Sequence, residues 1–195
     1  MFRYDSLHNC KTKHKKWFIP MLVVLLLLGM RVIYINKKYH KDVVYLDMNT
    51  RIDFGDFSLV PLEAMLLSVD EFEDYFGFDI NEDTNMGINK NDKIICIRFH
   101  AGNTSDKELP WSDVLSDKGE GFESLTWCSV GIPEIERIIN VVYADSFHPG
   151  NEIDFWRVTV VSRSIFRESA WRELSVDDFM FTLSFEPEIV KIRMK

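Results

Sequence analysis

Nineteen consecutive residues, Trp17 to Ile35, carry a single charge, Arg31. As a helix this segment would run about 28 Å at ~1.5 Å per residue, close to the ~30 Å thickness of a bilayer's hydrocarbon core. Arg31 sits one turn from the end, where its long stem can carry the guanidinium to the headgroups. Trp17 and Tyr34 fall where amphipathic rings collect at the two interfaces. Pro20 is expected in the first turn of the helix, where a missing N–H costs little.

Three other origins of such a segment can be weighed. A cleaved leader wants small residues after its apolar core, and the chain there reads RVIYINKKYH. A lipid-modified leader wants a cysteine after that core, whereas Cys10 precedes it. A buried helix of a soluble protein would need apolar partners around four consecutive leucines. The segment therefore reads as an uncleaved signal anchor. The organisation that follows is a short basic tail over residues 1–16, a membrane helix over 17–35, a spacer over 36–42 and a domain over 43–195. A brief tail inside the cell and a folded domain outside is the ordinary single-pass arrangement, although the Lys/Arg bias between the flanks is slight.

The formal charge of −8 hides a division. Residues 1–41 hold nine basic residues and one acid, so the remaining 154 residues hold 14 basic and 30 acidic ones. A +8 head precedes a −16 body. Such a body repels phosphate, which argues against a nucleic-acid partner. Hydrophobic residues at 46% supply enough apolar material to exclude an unfolded chain.

The body reads as β-rich. Ile95, Ile97, Phe99 and Ala101 form one apolar row that stops at the turn cluster Gly102–Lys107. Phe179, Phe181, Leu183 and Phe185 form another, broken at Glu186-Pro187-Glu188. Val190, Ile192 and Met194 then alternate with Lys191, Arg193 and Lys195, which predicts a final hairpin. Ile52, Phe54, Phe57 and Leu59 around Gly55-Asp56 read as a tight hairpin or bulge. Phe155–Ile165 and Val141–Tyr143 are further strand candidates. Ser68 and Glu71 form a capping box, with Leu67 and Phe72 placed as a staple and Gly77 as the stop, so a two-turn helix is expected over Val69–Phe76. Pro133–Asn140 is a second candidate helix. The fold class expected is an antiparallel, immunoglobulin-like β-sandwich with one or two short helices, behind one N-terminal transmembrane helix.

The stretch KIICIRFHAGNTSDKELPW (Lys93–Trp111) is a strand ending in Asn-Thr-Ser-Asp-Lys. It resembles the signature strand of telokin-like, immunoglobulin-like domains in exported Gram-positive proteins. Ile52–Phe76 and Asp177–Lys195 are similar to the two ends of that domain. The resemblance implies a fold and a membrane-anchored, exported setting. It brings no catalytic residues, since its motifs are strand patterns and a turn.

Searches for chemistry return little. The chain holds no G-x-S-x-G, P-loop, H-E-x-x-H or C-x-x-C motif. Within the domain the histidines are His100, expected on a solvent-facing strand position, and His148. No cofactor and no catalytic residue is expected. Asp79, Asn81, Asp83 and Asn85 alternate as oxygen-bearing side chains, and the first three are the candidate cation ligands. The calcium-loop template fails on them, because its sixth position is Thr84 and no Glu follows at the twelfth. The plainer reading is a helix start at Asp70-Glu71 followed by a solvated acidic loop. Cys96 and Cys128 lie in the exported part, where a disulfide between them could persist, although two isolated thiols in β segments read first as unpaired small residues. Trp111, Trp127, Trp156 and Trp171 read as core filling ahead of a carbohydrate- or peptide-binding face. Asn103-Thr104-Ser105 reads as a turn.

The function expected is a membrane-anchored extracellular module that binds a protein partner or a ligand, with residues 17–35 engaging the membrane. The alternative is an accessory subunit of a membrane transport or export complex. An exported hydrolase comes third, because no nucleophile motif supports it.

Overall fold

A computed structural model describes residues 11–39, 42–110, 114, 120–140, 146–184 and 189–195. The chain divides into two units, one built on the first helix and one beginning at Asp42. Helix α1 spans Lys11–Tyr39. It is longer than the apolar segment at both ends, so it takes in part of the expected tail and most of the expected spacer. Pro20 consequently lies in the helix interior and not in its first turn, and the carbonyl of Lys16 loses its usual N–H partner. The apolar side chains from Ile19 to Ile35 are exposed on every side. With a mean hydropathy of 2.1 over Ile19–Lys37, α1 is long and apolar enough to cross a membrane.

The second unit is mainly β, in two sheets. One sheet has five strands in the order β1 (Val43–Asp47), β9 (Ile189–Arg193), β8 (Met180–Ser184), β5 (Gly121–Glu123) and β6 (Cys128–Ser129). The other has four, in the order β2 (Ile52–Asp53), β3 (Phe57–Ser68), β4 (Lys93–Asn103) and β7 (Glu152–Val161). Short helices accompany them, among the described residues α2 (Val69–Phe76), α3 (Ile80–Thr84), α4 (Pro133–Ile139) and α5 (Glu168–Glu173).

Alternation builds the space between the sheets. Ile95, Ile97, Phe99 and Ala101 of β4 are buried there, with Phe155 of β7 and with Phe122, Phe181, Leu183 and Ile192 of the facing sheet. The rings interlock, with Phe99 5.3 Å from Phe181 and 5.6 Å from Phe155, and Phe122 5.0 Å from Phe181 between centroids. Each such side chain contributes roughly 1.5–3 kcal/mol on burial. The opposite face of β4 holds a smaller core. Ile94 and Cys96, with Val158 of β7, are covered by Val69 and Phe72 of α2, Ile80 of α3 and Ile135 of α4.

Several expectations are met residue for residue. The final hairpin pairs Met180 with Arg193 and Phe181 with Ile192. The Gly55 turn, at φ +84°, joins β2 and β3 with Ile52 opposite Leu59. Helix α2 has the bounds its capping box implies, with Ser68 Oγ accepting from the Glu71 N–H and Gly77 in the left-handed conformation. Other expectations need correction. The sheets are not wholly antiparallel, because β1 runs parallel to β9, with Val43 opposite Ile189 and Asp47 opposite Arg193. Strand β3 runs on through Leu67, with a register shift between Pro61 and Glu63 where proline withholds a donor. The acidic stretch after α2 is not all loop, since α3 forms within it. The strand expected at Val141–Tyr143, Trp111 and the break at Glu186–Glu188 lie outside the described residues.

Candidate functional site

The outward row of the five-stranded sheet runs through Val43, Tyr45 and Asp47 of β1, Lys191 and Arg193 of β9, Met180 and Thr182 of β8, and Gly121 and Glu123 of β5. None of these residues is buried. Register sets opposite charges side by side on it. Arg193 Nη1 lies 3.1 Å from Asp47 Oδ1, and its guanidinium lies 5.3 Å from the Tyr45 ring centroid. Lys191 Nζ lies 2.5 Å from Glu123 Oε1. The exposed Arg193–Asp47 pair and the half-buried Lys191–Glu123 pair give the face a pattern and little stability.

At the far end of this face a cleft of about 500 Å³ opens beside Gly121, lined by Glu120, Glu123, Cys128, Ser129 and Thr182. Glycine is required there, because a Cβ on residue 121 would stand 2.6 Å from the Ser129 carbonyl oxygen. Among the described residues, Thr182 Oγ1 is shielded from solvent and makes no hydrogen bond. Val130, in the wall of the cleft, and Leu125, at the tip of the β5–β6 turn, expose apolar side chains.

Glu120 links the cleft to a buried charge cluster. Arg157 shares its side of β7 with the core residues Phe155 and Val161, so its guanidinium is carried inward. Its Nη1 lies 3.1 Å from Glu136 Oε2 and its Nη2 3.7 Å from Glu120 Oε2. Glu136 is 2% exposed, and its Oε1 accepts the Val158 N–H at 3.0 Å. Burial pushes the Glu136 carboxyl above the ordinary glutamate range, against the pull of Arg157 and of the Val158 N–H. No motif in the sequence announces this cluster. Its signal was a lone arginine on the inward phase of the β-branched run FWRVTVV.

The other sheet presents a different outward surface. His100 Nδ1 lies 2.7 Å from Asp154 Oδ1, and its Nε2 lies 3.6 Å from Glu152 Oε2. Both ring nitrogens thus face carboxylates. Arg98 lies 3.3 Å from Glu63 and 3.8 Å from Asp154, beneath the Trp156 ring. His148 is exposed, 2.5 Å from Glu108.

The structure does not gather the candidate cation ligands. Asp79 caps α3, its Oδ1 accepting the Asn81 and Glu82 N–H groups. Asn81 is engaged in both directions by the main chain of Ile88. Asp83 is exposed, and Asn85 closes the helix at φ +55°. Among the described residues no three His, Cys, Asp or Glu side chains are grouped to hold a metal ion. The bridge considered between Cys96 and Cys128 is absent: both are free thiols, one buried in β4 of the four-stranded sheet, the other exposed in β6 of the five-stranded sheet. Trp171 is buried and Trp127 packs edge-on against Phe179, as core filling requires. Trp156 instead packs under Phe76 and Tyr75 in the outer layer. Asn103 is buried at the end of β4 and holds the turn that follows, with Oδ1 accepting the Ser105 N–H and Nδ2 donating to the carbonyls of Lys107 and Phe147.

Fold and site define a two-sheet β-sandwich with an outer helical layer, in a chain that also carries an apolar helix of membrane-spanning length. No protein-family model matches the chain, and no curated protein does. Among solved structures it is similar to an uncharacterised β-sandwich protein from Clostridium difficile 630, at TM-score 0.48 and 11% identity over 80% of this chain and 97% of that one. It is also similar to a conserved hypothetical protein from Bacillus anthracis, at TM-score 0.43 and 9% identity over 74% of this chain and 88% of that one.

Proposed function

We propose that the protein is a single-pass, membrane-anchored module whose immunoglobulin-like domain stands outside the cell and binds a protein partner or ligand. The contact surface in this reading is the outward face of the five-stranded sheet. One observation carries it: the two sheets are finished differently. Helices α2 and α4 pack on the four-stranded sheet. The five-stranded sheet keeps a row with no buried member, and a cleft with an unanswered hydroxyl at its end. A solvent-facing row that mixes apolar, aromatic and charged side chains matches the composition of a protein interface.

The anchor reading rests on the length and all-round apolarity of α1. The −16 body stands off anionic lipid and nucleic acid alike, which leaves protein or a small ligand as the partner.

A photo-crosslinking residue placed at Tyr45 or Val130 in the full chain tests the surface in intact cells. A discrete adduct from those positions, with none from Asp74 on the helical side, is the expected result. Silence at both positions would overturn the reading. Adducts confined to the anchor helix would transfer it to an accessory subunit of a membrane complex. Protease added to intact cells tests the topology, and a domain shielded until lysis would sink it.

A further inference from the structure

Strand β7 is ten residues long and lies at the border of its sheet, with β4 its one strand neighbour among the described residues. Its segment FWRVTVV is β-branched and aromatic, carries one charge, and lacks proline and glycine. A bare edge of that composition is a template for another strand.

The edge is not bare. At Trp156 the carboxamide of Asn140 answers both main-chain groups, with Oδ1 accepting the N–H at 2.6 Å and Nδ2 donating to the carbonyl at 2.9 Å. At Val158 the carboxylate of Glu136 accepts the N–H at 3.0 Å and the Ile132 N–H donates to the carbonyl at 2.8 Å. Two successive outward positions of β7 therefore have every main-chain group satisfied, in the pattern a neighbouring strand would supply. The partners come from a short helix and the residues just before it. Pro133 starts that helix, and Asn140 ends it in a non-helical conformation with its side chain turned to β7.

We propose that the segment from Ile132 to Asn140 is a plug that denies the free edge of β7 to a second copy of the chain. Asn140 and Glu136 imitate the missing strand. A second β7 is the occupant this edge fits, since an identical strand running antiparallel offers the same low-charge segment and the same outward groups. The −16 charge of each body opposes that pairing over long range, so the plug matters most where salt screens it. The proposal is independent of what binds the other sheet.

The test uses the full chain in detergent, at roughly 0.15 M and 1 M salt, where screening lengths are about 8 and 3 Å. Amide exchange at Trp156 and Val158 is read together with molecular mass. For Asn140→Ala the expected result at low protein concentration is exchange at Trp156 faster by roughly tenfold, as for one lost hydrogen bond. At high concentration a dimer forms and protection at Trp156 returns, more readily in the higher salt. Asn140→Asp keeps the size and the acceptor but sets a carboxylate oxygen against the Trp156 carbonyl. It is read by the same criteria and carries the test where the alanine variant does not fold. Fast exchange with the parent's mass at every concentration and salt overturns the proposal. So does a dimer in which Trp156 stays unprotected, and so does exchange unchanged in both variants.

Discussion

Glu136 and Arg157 meet at 3.1 Å with the carboxylate almost wholly enclosed, and Gly131 is packed directly against both. The pair ties α4 to β7 at the side of the sandwich, where the chain crosses from the five-stranded sheet to the four-stranded one. Its removal from water makes it the place where pH and sterics act most directly on the fold.

The raised Glu136 carboxyl has a definite sign. A group that holds its proton more tightly when folded than when unfolded lowers stability as pH rises from the ordinary glutamate range to its folded value, and the loss persists above that value. Glu136→Gln removes the titration and keeps an acceptor for the Val158 N–H. Denaturant unfolding across a pH series should show that downward slope in the parent and its absence in the variant. Glu136→Ala, which strands Arg157 with Glu120 alone, should cost about 3 kcal/mol.

Two glycines are set by close approach. Ala at position 131 would overlap Glu136 Oε1 and stand 3.0 Å from Arg157 Nη2, and Ala at 121 would press on the Ser129 carbonyl. Each substitution should lower stability by about 1–3 kcal/mol. Gly121→Ala should also move the β6 main chain, seen as altered amide exchange at Ser129 and Val130. Unchanged unfolding midpoints for both variants would contradict the packing described.

The thiols should separate by reactivity. Burial holds Cys96 at a pKa of about 12, whereas Cys128 is exposed. Peptide-resolved mass spectrometry after alkylation of the native protein, without reductant, should find Cys128 modified and Cys96 untouched. Denaturant should expose Cys96. A Cys96 that stays unreactive in denaturant until reductant is added would reveal a disulfide and contradict the two free thiols.

The capping box should be measurable in isolation. Ser68→Ala leaves the Glu71 N–H without its acceptor and should cost about 1 kcal/mol. Hydrogen bonds from the Ser68 main chain and hydroxyl hold the Glu71 carboxyl below its ordinary range. Its contribution is therefore complete above the unfolded value and is lost as pH falls through the folded one. The difference between parent and variant should shrink in that acid window.

Legibility followed the range of each interaction. The box at Ser68 and Glu71, the Gly55 turn and the β8–β9 hairpin are local, and their residues spell them out. The inward row from Ile95 to Ala101 is read directly from alternation. The pairing of Val43 with Ile189 joins the two ends of the domain through no connecting turn, so nothing nearby in the chain announces it. Strand β3 was obscured by Pro61 and by Leu62-Glu63-Ala64-Met65-Leu66, whose composition suits a helix better than a strand. Asn140 and Glu136 sit in what reads as a short helix end, and their work on β7 is a tertiary fact. Thr182 looks like any outward strand residue until Gly121 is found beside it.

The parallel run of β1 against β9 also has a mechanical meaning. The chain enters β1 at Asp42 and leaves β9 towards Lys195, at opposite ends of five register pairs. Tension applied between those two points pulls the strands past one another lengthwise, so the pairs share the load and must yield together. An antiparallel pairing at the same place would open one pair at a time, like a zip. Under the anchoring proposed above, the entry strand would be held by the arrangement that best resists a pull on the first residues of the domain.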